Sequence, residues 1–115
     1  MTQTLSEENY LKAIYHIGKQ GGKVSATAIS EELANNPASV VDMLKRLTEK
    51  KLIQYDKTKG AALTGSGHKI ALSVIRKHRL WEVFLHDKLG YTWDEVHDSA
   101  EQLEHIRDQD LPDRL

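Results

Sequence analysis

A chain of 115 residues and 13.1 kDa supports one modest hydrophobic core, and its lack of cysteine excludes disulfides, thiolate zinc sites and cysteine nucleophiles. No run approaches the ~20 apolar residues of a membrane span, and MTQTLSEENY has neither the basic start nor the apolar stretch of a signal peptide, so a cytoplasmic protein without a membrane partner is expected. The formal net charge of −1 is unevenly spread: residues 1–80 carry 13 Lys/Arg against 7 Asp/Glu, whereas residues 81–115 carry 3 against 10, a first part suited to a polyanion and a second suited to cations.

Ser6 is placed to cap a first helix over about residues 6–20, in which Tyr10, Ala13, Ile14 and Ile17 recur at helical spacing before Gly21 and Gly22. Ser25 caps a second, with Ala28, Ile29 and Leu33 on one side. Asn36 caps a third and Pro37 takes its first position, where a missing N–H costs nothing. The buried side of this third helix is expected to be Val40, Val41, Leu44 and Leu47. LIQYD, a Lys-Thr-Lys-Gly turn and AALT then read as a β-hairpin. Three helices and a hairpin outline a winged helix-turn-helix, with the third helix as the element that enters a DNA major groove.

Thr64 opens a long fourth helix that Gly90 ends, and the Thr92/Glu95 capping box opens a fifth over roughly 93–109. Asp110, Leu111 and Pro112 begin another segment, and the stop at Leu115 looks like the start of a further helix in a longer protein. The expected fold is mainly α. It consists of a winged helix-turn-helix DNA-binding domain over residues 1–64 and an incomplete helical metal-binding and dimerisation region over residues 65–115.

The third helix is expected to expose Ser39, Asp42, Met43, Lys45 and Arg46, with Lys50 and Lys51 at its end and Lys57 and Lys59 on the wing. Short side chains near a helix N-terminus suit base edges, and flanking Lys and Arg suit phosphates. A solvated helix in a protein-interaction module is the plainer alternative.

His78, His86, His97 and His105 fall in the last third of the chain. On a continuous fifth helix, His97, Glu101, Glu104 and His105 would span an arc of roughly 100° beside an apolar stripe of Val96, Ala100, Leu103 and Ile106. His97 and His105 would then lie roughly 12 Å apart along the axis, which requires two ion sites rather than one. On the fourth helix, Ala71, Ile75, His78, Glu82, Leu85 and Leu89 share a face on which His78 and Glu82 are the only polar members. Imidazole and carboxylate at such spacing suit Mn²⁺, Fe²⁺, Co²⁺ or Zn²⁺. Taken singly, each of these residues is an ordinary surface group; two helices offering the same types favour metal. His16, His68 and His86 lack carboxylates at ligand spacing and are read as ordinary histidines. H-E-x-x-H and Glu-x-x-His are both absent, which argues against a metal hydrolase or a di-iron carboxylate enzyme.

Through EENYLKAIYHI, VSATAISEELANNPASVVDMLKRL, LTGSGHKIA, RKHRLWEVFL and HDSAEQLEH, the sequence resembles the diphtheria-toxin-repressor family of metal-dependent transcriptional regulators. The resemblance implies a homodimer whose metal occupancy favours binding to double-stranded operator DNA and repression of metal-homeostasis genes, with no small-molecule substrate beyond metal ions. It places His78, Glu82 and His97 at the ancillary metal site of the iron-type members, so that the chain is iron-like at His97, and Glu101, Glu104 and His105 at the primary site. Glu101 stands where iron-type members carry cysteine and the manganese branch carries glutamate. Mn(II) is therefore favoured, Fe(II) next, with Zn(II) or Co(II) as surrogates. Asn9 stands where a helix-one ligand is found, and Lys12 where the manganese branch has a second acidic ligand. The matching recognition positions are Asn36, Pro37, Ala38, Ser39, Asp42, Met43 and Arg46. A metal-independent winged-helix regulator is the alternative.

Overall fold

A computed structural model of the chain describes residues 3–108 and 110–115. The elements run α1 (Leu5–Lys19), α2 (Ala26–Leu33), α3 (Pro37–Glu49), β1 (Ile53–Asp56), β2 (Gly60–Leu63), α4 (Gly65–Leu89), α5 (Trp93–Leu103) and α6 (Leu111–Arg114). The fold is mainly helical, with the expected hairpin after three helices, and the chain divides after Ala71 into two compact units. No helix among the described residues is long and apolar enough to cross a membrane.

In the first unit, Thr4 rather than Ser6 caps α1. Its hydroxyl accepts from the Glu7 N–H at 3.1 Å while Glu7 Oε1 accepts from the Thr4 N–H at 2.8 Å. The reciprocal bond needs a carboxylate three residues on, which Thr4 has and Ser6, followed by Asn9, does not. Ser25 and Asn36 cap α2 and α3 as expected, accepting from Ala28 N at 3.0 Å and Ala38 N at 2.7 Å. The core gathers Leu11, Ile14, Ile29, Val40, Leu44, Leu47 and Ile53.

On α3 the expected burial is corrected at two positions: Val41 is 42% exposed and Met43 only 8%. The stripe that starts at Val40 takes in Met43, Leu44 and Leu47 at i+3, i+4 and i+7, which turns Val41 about 110° from its centre.

β1 and β2 pair antiparallel from Ile53↔Leu63 to Asp56↔Gly60. Asp56 Oδ1 accepts from the N–H groups of Thr58 at 2.6 Å and Lys59 at 3.2 Å, which sets the turn and holds its carboxyl below the usual carboxylate range. Gly60 has φ +88°, and a Cβ there would stand 2.6 Å from the Val24 carbonyl oxygen, to which Ala61 N–H donates at 2.8 Å.

Glu7 has a second role. It is fully buried, and Lys50 Nζ reaches its two oxygens at 2.9 and 2.8 Å, joining the start of α1 to the end of α3. Burial pushes the carboxyl up, but the Lys50 hydrogen bond and charge and the Thr4 N–H outweigh it and leave the group below its ordinary value. A depressed folded pKa contributes stability at neutral pH that is lost as pH falls through that folded value. Glu7→Gln is therefore expected to destabilise at pH 7 by about 2 kcal/mol, less than for a fully buried pair because Lys50 can rehydrate. The deficit should shrink as pH falls below 4.5, the carboxyl's ordinary value. Urea unfolding at pH 7 and at about pH 3.5 checks this; a pH-independent deficit would contradict the ionic account.

In the second unit, Val74, Leu85, Val96 and Ala100 are buried, with Trp81 and Leu103 packed around the Leu85, Val96 and Ala100 cluster. The Thr92/Glu95 capping box forms, with bonds of 2.9 and 3.3 Å. α5 ends at Leu103 rather than near 109; Gln109 itself lies outside the described residues. Beyond Glu104, the Ile106 carbonyl accepts from Lys77 Nζ at 3.1 Å, a tertiary bond in place of a continued helical ladder. α6 begins with Leu111 and Pro112, and Arg76 bonds Asp113 at 2.9 Å.

Candidate metal centre and nucleic-acid interface

His78 and Glu82 are one turn apart on α4, with Nε2 and Oε2 3.3 Å apart. α5 brings His97 alongside, its ring centroid 4.9 Å from that of His78. One ligand atom from each of His78, Glu82 and His97 lies within 4.8 Å of the others. An ion with bonds of about 2.1 Å places its ligand atoms roughly 3 to 4 Å apart, so a small rotation closes the trio. His97 is 62% exposed, which leaves its ring room to turn. Two imidazoles and a carboxylate fit a first-row divalent ion.

Glu101, Glu104 and His105 do not close into a comparable cluster among the described residues. The expected shared face of helix five is divided by burial: α5 ends at Leu103, and its C-cap Glu104, whose N–H still donates to the Ala100 carbonyl, lies on the side of buried Ala100. Glu101 stays exposed and pairs with His97 at 3.9 Å. Glu104 turns inward and is fully buried, with Oε2 3.3 Å from His78 Nδ1 and Oε1 3.7 Å from His105 Nε2. A carboxylate removed from water needs positive charge nearby, which protonated imidazole or an ion on that imidazole supplies. Through Glu104 the two ligand sets share an acidic residue, and His78 presents one nitrogen to Glu82 while the other faces a carboxylate. That is the arrangement by which metal-bound imidazoles are oriented.

Asn9 is half-buried on α1, within the first unit. His86 stacks on Trp93 at 3.8 Å and 20°, its Nδ1 2.8 Å from the Tyr91 carbonyl, while His68 lies 5.5 Å from Tyr15. His16 is exposed. Lys77, next to His78, was not singled out by the spacing: it is buried, and its bond to Ile106 holds the segment that carries Glu104 and His105. Only its place inside RKHRL hints at this.

On the first unit, Pro37, Ala38, Ser39, Asp42 and Arg46 are exposed along α3, and Lys57 and Lys59 are exposed on the hairpin turn. Asn36 is exposed too, but its side-chain oxygen is engaged by the cap. Met43, expected among the base-facing residues, points instead into the core.

A winged helix-turn-helix followed by helices bearing a histidine–carboxylate cluster defines a class of DNA-binding fold coupled to a metal-ligand region. The chain belongs to the iron-dependent repressor family, matching its N-terminal DNA binding domain over residues 3–61 and its metal binding and dimerisation domain over residues 64–115. It is 32% identical over 112 residues to the HTH-type transcriptional regulator MntR of Oceanobacillus iheyensis, covering 97% of this chain and 76% of that protein. It is 33% identical over 108 residues to the iron-dependent repressor IdeR of Mycobacterium leprae, covering 94% of this chain and 47% of the relative. Among solved structures, the manganese regulator SloR superposes with a TM-score of 0.82 at 40% identity, over 99% of this chain and 52% of that one. The chain thus spans about half the length of IdeR and SloR and three-quarters of MntR.

Proposed function

We propose that the protein is a metal-dependent transcriptional regulator, a repressor that senses Mn(II) or Fe(II) and binds double-stranded operator DNA of metal-homeostasis genes as a cytoplasmic homodimer. Its role is regulatory rather than catalytic. The proposed DNA-binding domain covers residues 1–64 and the metal-binding and dimerisation region residues 65–115. The observation that carries the reading is the approach of one ligand atom from each of His78, Glu82 and His97 to within 4.8 Å of the others, beside the buried Glu104. Proposed metal residues are these four with Glu101, His105 and Asn9. Ala38, Ser39, Asp42 and Arg46 face DNA bases and backbone, and Lys57 and Lys59 face phosphates.

A divalent ion held by these residues would add positive charge beside the carboxylates. Without it, Glu82, Glu101 and Glu104 repel one another and hold the second unit in a broader set of arrangements. With the carboxylates and imidazoles drawn together, the DNA-competent arrangement gains population in proportion to the difference in affinity between states. The test is titration of Mn²⁺, Fe²⁺ and Zn²⁺ by calorimetry, alongside duplex-DNA binding at fixed salt. A gain in DNA affinity of at least about tenfold on loading is expected. Metal-independent DNA binding would favour the metal-independent winged-helix regulator instead. Asn9→Ala is the arm that tests the helix-one donor: unchanged metal affinity and DNA response would remove Asn9 from the ligand set.

A further inference from the structure

α3 and the hairpin enclose a groove of about 430 Å³ whose walls include Val41, Leu44, Lys45, Glu49, Tyr55 and Lys57. Its floor is apolar and two of its rim residues are lysines. The exposed valine is the unexpected element. Val40, Leu44 and Leu47 are all buried, yet Val41 is 42% exposed and is turned from the core stripe toward the hairpin side of α3. Ala38, Asp42 and Lys45 lie at the middle of the solvent face of α3, so Val41 borders the surface that enters a major groove in this fold.

We infer that this groove seats one strand of duplex DNA, with Val41 against the C5-methyl of a thymine and Lys45 and Lys57 on flanking phosphates. The inference rests on the DNA-binding reading above and adds a base preference to it. The thymine methyl is the one apolar group that base pairs present in the major groove, and an aliphatic side chain is its natural contact. Lys45 follows Val41 by four residues and so stands on the same side of α3, one turn on. Lys57 lines the groove from the hairpin turn. Glu49, another turn beyond Lys45, puts a negative charge at the far end of the groove, where it repels a phosphodiester chain and confines the strand to the N-terminal half of α3.

The experiment starts from a random-sequence duplex pool, enriched on the full chain in the presence of Mn²⁺. The best-binding duplex is then remade with deoxyuridine at each thymine in turn, which deletes one methyl and leaves base pairing intact. For the wild type, deoxyuridine at one position in each half-site is expected to weaken binding about fourfold, the worth of one buried methyl. Val41→Ser should bind the thymine duplex correspondingly more weakly and be indifferent to deoxyuridine at that position. Lys57→Gln should reduce the slope of log affinity against log salt by about two, one for each subunit of the proposed dimer, for every sequence alike. If the wild type is indifferent to deoxyuridine everywhere, or if Val41→Ser keeps the same sensitivity, the methyl contact is overturned while the DNA-binding reading stands. If no duplex is enriched from the pool, the DNA-binding reading fails and the inference with it. Val41 is exposed, so its replacement leaves the core of the first unit unchanged.

Discussion

Replacing His78 with alanine is expected to weaken Mn²⁺ binding by at least about 100-fold and to abolish the dependence of DNA binding on metal. Three members of the cluster surround its ring. Its Nε2 faces Glu82, its Nδ1 faces the buried Glu104, and its ring lies against that of His97. Alanine removes a ligand and also the imidazole beside a carboxylate that burial has cut off from water. His97→Ala should cost less, because that ring is mostly exposed and water can take its place. Glu104→Gln keeps the shape while removing the charge; a loss of about 10- to 100-fold is expected. Calorimetry with Mn²⁺, accompanied by a circular dichroism check of helix content, reads all three. Wild-type affinity in His78→Ala would move the metal away from this cluster.

Gly67→Ala should be the most damaging single methyl addition in the first unit, at about 3 kcal/mol or more. Gly67 lies in the first turn of α4, where its N–H donates to Thr64 Oγ1 at 3.2 Å. Thr64 is fixed in turn by its own N–H to the Leu52 carbonyl at 3.0 Å and its hydroxyl to the Lys51 carbonyl at 2.8 Å. A Cβ on Gly67 would be driven into the Leu52 carbonyl oxygen. Backbone, unlike the end of a flexible side chain, cannot step aside without breaking these bonds. Gly65 supplies the control, because a Cβ there meets nothing within 4 Å. Gly65→Ala should be neutral or stabilising by up to about 1 kcal/mol. Thermal unfolding of the two variants side by side decides the matter, and equal melting temperatures would show that the helix start accommodates the methyl.

Where a signal is local, the sequence carries it. Ser25, the Asn36–Pro37 pair and the Thr92/Glu95 box each mark a helix start through bonds made within three residues, and all three starts lie where expected. His78 and Glu82 were legible for a similar reason, since four residues make one helical turn. Errors arose where a distant part of the chain decides. Past the end of α5 the Ile106 carbonyl is taken by Lys77, 29 residues before it, and no pattern around Leu103 announces that. Glu104 and Glu101 part because Glu104 lies toward the buried Ala100 side while Glu101 stays exposed, a difference set by what packs against α5. Val41 and Met43 flank the apolar stripe of α3 from opposite sides, and hydrophobicity alone does not say which flank the neighbouring elements cover.

Both tryptophans of the chain sit beside the candidate metal centre. Trp81 immediately precedes Glu82 and packs on the Leu85, Val96 and Ala100 cluster, while Trp93 stands one turn before His97, exposed and stacked on His86. One indole is partly buried and the other exposed, so their emission maxima should differ. Adding Mn²⁺ is therefore expected to alter the two emissions unequally, a readout that needs no attached label.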